Sequence, residues 1–131
     1  MKRFVIAALA VGFIAALSVG LTSHSNAAPK DPFIGAWESI DVDGSHQRVS
    51  IGGGGAGIYH LAYFDDYATL CGGGQATAIG SGSADGYDLH AEVLVRCLSQ
   101  HFILGSSQFM FTYDPATDTL ESWVTWYRIG R

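Results

Sequence analysis

Histidines, acidic pairs, serines and two cysteines are the side chains of this sequence whose types could do chemistry. His60, His90 and His101 fall on or beside expected strands, but none stands two or four residues from another histidine, the spacing that would bring two ring nitrogens to one metal. Asp41-Val42-Asp43-Gly44 has the opening of a calcium loop, yet Gly52 stands where the closing glutamate of such a loop falls, so the segment reads as a turn. Asp65 and Asp66 are adjacent, and neighbours on an extended chain point to opposite sides, whereas acid–base catalysis needs two carboxyls converging on one bond. They are expected to end a strand. Ser45-His46 lacks a nucleophile turn, and the glycine runs 52–55 and 72–74 are not followed by Lys-Ser or Lys-Thr and a helix, as a phosphate loop would be. The residues predict a non-catalytic protein without metal or cofactor.

The aromatic rings are the stronger pointer. Trp37, Tyr59, Tyr63, Phe109, Phe111, Tyr113, Trp123, Trp126 and Tyr127 are many for a small domain, and most must fill a core. Read as one strand, residues 119–129 carry Trp123 and Tyr127 on one face and Trp126 and Arg128 on the other, so one aromatic set faces outward. Trp123, Tyr127, Tyr63 and Tyr59 are the candidate ligand-binding residues.

The elements that must position these side chains begin after an export signal. Met1-Lys2-Arg3 precedes an uncharged run from Phe4 to Leu21, and a small polar stretch ends in Ala27-Ala28, which predicts a signal peptide over residues 1–27. An uncleaved amino-terminal anchor is the alternative. Residues 28–32 form an extended leader containing Pro29 and Pro32, and 33–131 a single domain. After cleavage, five basic side chains face twelve acidic ones, a formal charge of −7, which disfavours nucleic acid and anionic membranes as partners. An exported chain meets oxidising conditions, so Cys71 and Cys97 are expected to form a disulfide.

The domain reads as strands and turns without helical periodicity. Expected strands cover 33–41, 45–51, 57–64, 67–71, 75–84, 87–98, 107–113 and 119–129, with 99–105 a loop or short edge strand. Asp43-Gly44, Asp85-Gly86 and Asp114-Pro115 mark turns, and Leu89, Ala91, Val93, Val95 and Cys97 alternate against polar neighbours. About eight antiparallel strands with short connections predict an all-β fold, either an up-and-down barrel, which leaves no open edge, or a β-sandwich or jelly roll.

Gly35-Ala36-Trp37 at the start of the first strand resembles the Gly-x-Trp signature of lipocalins and related small barrels, including avidins and short bacterial inhibitors of secreted metalloproteases. In those families a basic residue on the last strand packs over the tryptophan and closes one barrel end; the resemblance gives that role to Arg128 over Trp37. It implies architecture, since such barrels serve transport, binding and inhibition alike. The functional expectation is a secreted, monomeric binding module whose partner is a small molecule, a glycan or a protein. A secreted inhibitor of an extracellular protease, acting through the leader, and a structural envelope protein are the alternatives.

Overall fold

A computed structural model describes residues 30–130. Residues 1–29 and 131 lie outside it, and with them the expected signal peptide and the first residues of the leader. Eight strands run in chain order: β1 (Gly35–Ile40), β2 (His46–Gly53), β3 (Ile58–Ala68), β4 (Gly74–Asp85), β5 (Asp88–Cys97), β6 (Phe102–Asp114), β7 (Thr119–Glu121) and β8 (Thr125–Ile129). Each pairs antiparallel with its neighbours in sequence, and β1 closes on β8 through Ala36↔Ile129, Trp37↔Arg128 and Glu38↔Tyr127. The fold is therefore a closed up-and-down barrel, and the sandwich alternative does not apply. Among the described residues no helix is long and apolar enough to cross a membrane.

The strand boundaries correct the sequence reading at three places. Asp65-Asp66 does not end a strand: the segments expected at 57–64 and 67–71 are largely one strand, β3, followed by a single 3-10 turn at Thr69–Cys71. Between Asp65 and Ala68 the pairing with β4 shifts by one residue, a bulge; the Asp65 carboxylate supplies a partner within it, and the Asp66 carboxylate reaches across to the start of β2. Asp65 accepts from the Tyr67 amide (3.0 Å), and Asp66 from the His46 amide of β2 (2.8 Å). The uncertain segment 99–105 contributes Phe102 onward to β6. The long last strand is two, joined at residues 122–124, where the Ser122 amide donates to the Val124 carbonyl (3.0 Å). One merger and one division leave the strand number at eight.

Alternation fills the barrel. Val49 and Ile51 of β2, Leu61 of β3, Leu89, Ala91 and Val93 of β5, Phe111 of β6 and Trp126 of β8 point inward and are almost fully buried. β4 lines its part of the wall with Ala76, Ala78, Gly80, Gly82 and Ala84. An eight-stranded barrel is just wide enough for its own side chains, so small residues on this wall make room for the rings opposite. At Gly80 the approach to β5 is so close that a Cβ would collide with the Glu92 carbonyl oxygen.

One end of the barrel is plugged. Phe33, 1 % exposed, packs edge-on to Tyr59 (5.6 Å) and Tyr113 (6.4 Å), and its carbonyl accepts from the Trp37 indole (3.0 Å). The Arg128 guanidinium lies over the Trp37 ring, pairs with Asp118 (3.1 Å), and donates to the carbonyls of Ile34 (2.6 Å) and Pro32 (2.8 Å). It thereby ties the leader across the barrel end.

Candidate functional site

At the opposite end the barrel is open. There the β1–β2, β3–β4 and β7–β8 connections line a cavity of about 340 Å³, within the range of about 300–1,000 Å³ that small-ligand pockets occupy. Its walls come from successive levels of the core. Tyr63 and Phe109 pack edge to face at 5.1 Å, Phe109 and Trp123 at 5.3 Å, and Trp123 stands perpendicular to Trp126 at 5.8 Å. Trp126 is held in turn by its indole donating to the Ser122 hydroxyl (2.9 Å). Trp123 is thus half exposed on top of a fixed aromatic stack, in the β7–β8 connection rather than on a strand.

The rim is held by the disulfide. Cys71, at the end of the 3-10 turn, bonds Cys97 at the end of β5, with Cα atoms 5.5 Å apart, and both pack with Ala68 and Ala76 in a small second core. This fixes Tyr67 and Leu70, both exposed, beside the opening.

The polar lining is acidic. Asp41, Asp43 and Asp65 face the cavity, and its lining includes no lysine, arginine or histidine among the described residues. Asp65, 6 % exposed, accepts from the Tyr63 hydroxyl (3.2 Å). Burial first, and the neighbouring Asp65 carboxylate second, raise Tyr63 far above the ordinary tyrosine range, so its phenol stays a donor. Ser45, whose amide donates to Asp43 (2.9 Å), holds that carboxyl below the usual carboxylate range. Gln47 enters from β2 opposite Asp65, 2 % exposed; its amide nitrogen donates to Asp41 (2.9 Å), and its carbonyl oxygen has no partner among the described residues.

Of the four residues read as ligand-binding, the structure brings Tyr63 and Trp123 to this cavity. Tyr59 lies at the plugged end, 7 % exposed, donating to Asp31 (2.8 Å). Tyr127 projects outward from β8 into a groove of about 540 Å³ on the outer wall, beside Glu38, His46 and Arg48. Trp123 and Tyr127 therefore do not share a strand face, because the strand that would have aligned them is broken at 122–124. Asp65 and Gln47 are the residues the sequence reading missed as cavity groups. Gln47 carried a usable sign, since it shares the parity of Val49 and Ile51 and so points inward.

His46, His60 and His90 are exposed on the outer wall, and His101 sits in the β5–β6 connection. Among the described residues no group of three or more histidine, cysteine or acidic side chains is placed to hold a metal ion. No family model, curated protein or solved structure matches this chain.

Proposed function

We propose that this protein is a secreted, non-catalytic binding module of the small lipocalin- and avidin-like kind, and that it takes a small ligand in the open end of its barrel. The observation that carries this reading is the asymmetry of the two ends. One is sealed by Phe33, Trp37 and Arg128, while the other leaves an aromatic cavity of about 340 Å³ beside the half-exposed Trp123. Preformed concave sites with apolar walls and few polar groups are where proteins hold small molecules. The disulfide favours export, since such bonds persist outside the reducing cytosol.

Trp37 and Trp126 are fully buried, so Trp123 is the tryptophan an occupant of the open end would touch. Titrating the purified protein with Nile red, an uncharged apolar dye, should quench or shift tryptophan emission saturably. The response should vanish in Trp123→Phe, with dye affinity reduced several-fold in Trp123→Ala. Emission that does not saturate, or that responds equally in both variants, would refute a ligand site at this end.

A further inference from the structure

The polar groups of the cavity specify a class of ligand, and the inference rests on the binding reading above. Gln47 is almost wholly buried, lines the cavity and donates one amide hydrogen to Asp41, while its Oε1 has no donor among the described residues. A buried carbonyl oxygen left unpaired is unfavourable, so an occupant bringing an N–H or O–H there gains affinity. Around it stand the carboxylates of Asp41, Asp43 and Asp65, with no cationic side chain in the lining to offset them. The donors already spent on those carboxylates are the Tyr63 hydroxyl, the Gln47 amide and backbone N–H groups, all of them neutral. The faces of Phe109 and Trp123 complete the cavity.

We infer that the open end binds a small organic cation, a protonated amine with an apolar or aromatic body. Its ammonium would donate to Oε1 of Gln47 beside Asp41 and Asp65, and its body would lie against Phe109 and Trp123. An anion meets three carboxylates and is repelled. A neutral alcohol can satisfy Gln47 but gains nothing from the field. A quaternary ammonium gains the field and the ring faces but cannot donate. Of these, only a protonated amine uses all three features.

The test compares ligands of one shape on the purified protein by calorimetric titration: 2-phenylethylammonium, its N,N,N-trimethyl derivative, 2-phenylethanol and 3-phenylpropionate, with Nile red as an uncharged reporter of the cavity. The primary ammonium should bind about tenfold or more tighter than the alcohol, the carboxylate should not bind measurably, and the trimethyl form should fall between. Raising salt should weaken the ammonium and leave the alcohol unchanged. Asp65→Asn should cut the ammonium preference to about threefold or less. Should that variant misfold, Asp43→Asn, at an exposed rim position, should reduce it several-fold while Nile red binding is retained. Alcohol or carboxylate binding as tight as the ammonium, with the dye still bound, overturns the cation inference and leaves the cavity reading standing. Failure of the dye and of every phenyl ligand to bind overturns both.

Discussion

The guanidinium of Arg128 lies 3.9 Å from the centre of the Trp37 indole, and the same cation fills the space that a side chain on Gly35 would need. A Cβ on Gly35 would stand 2.7 Å from Nη1 of Arg128, and the backbone there has φ of +149°, a value that side-chain-bearing residues rarely adopt. The Gly-x-Trp pattern thus has a local physical cause: the indole provides the surface for the cation, and the glycine leaves it room. Gly35→Ala should cost about 1–3 kcal/mol in denaturant unfolding. Arg128→Ala takes the cation from Asp118, which keeps the Tyr113 hydroxyl, and the donor from two carbonyls, and should cost about 3 kcal/mol. Because the two residues touch, the double variant should be less destabilised than the sum of the singles, and strict additivity would sink this account.

Arg128→Lys should recover little of that loss. Lysine has no planar fork with which to hold Asp118 through two nitrogens while reaching Ile34 and Pro32 on the other side. With the leader untied, protease cleavage before Gly35 should become faster, read as the time course of amino-terminal trimming. A lysine variant with wild-type trimming and stability would show that charge alone closes this end.

The cysteines are 26 residues apart, and closing a loop of that length is worth about 3.5 kcal/mol in the chain-entropy account. Replacing Cys71 and Cys97 together by alanine should lower unfolding stability by about that amount. It should also raise amide exchange first in Thr69–Cys71, which the bond ties to β5, while β1 and β8 stay protected. Uniformly raised exchange around the whole barrel would contradict a local role at the open end.

The fold was legible where turn chemistry and alternation agree. Asp43-Gly44 and Asp85-Gly86 lie where β1 turns into β2 and β4 into β5, and β5 keeps its period of two from Leu89 to Cys97. It was illegible where ordinary residues turn the chain. His101 makes the β5–β6 connection with φ of +55°, a left-handed conformation that histidine adopts more readily than most residues yet too seldom to mark a turn. The β7–β8 connection, Ser122-Trp123-Val124, has no glycine, proline or asparagine, so it reads as strand. Asp65-Asp66 misleads in the other direction, because two carboxylates resemble a strand end, whereas here Asp65 serves a bulge and Asp66 holds the start of β2. The site follows the same division. Tyr63 and Trp123 could be picked out as aromatic residues, but that Trp123 lies in a connection and Asp65 points inward depends on pairing register, which needs contacts distant in sequence.

Tyr63 offers a test of the acidic interior that needs no ligand. In the unfolded chain a tyrosine ionises near pH 10, whereas burial and Asp65 keep this phenol protonated well above that in the barrel. Below pH 10 both states hold the proton, so the difference adds no slope to stability. From about pH 10 upward the unfolded chain releases a proton that the folded chain retains, and stability must fall as pH rises. Tyr59 and Tyr113 are raised as well, by burial first and then by Asp31 and Asp118, so they share in the alkaline loss. Tyr63→Phe should therefore make the decline above pH 10 shallower without abolishing it. It should also leave one tyrosine fewer resisting ionisation in the alkaline absorbance titration of the folded protein. An unchanged alkaline slope in Tyr63→Phe would mean that the hydroxyl is hydrated rather than held against Asp65, and the electrostatics assigned to the open end would need to be redrawn.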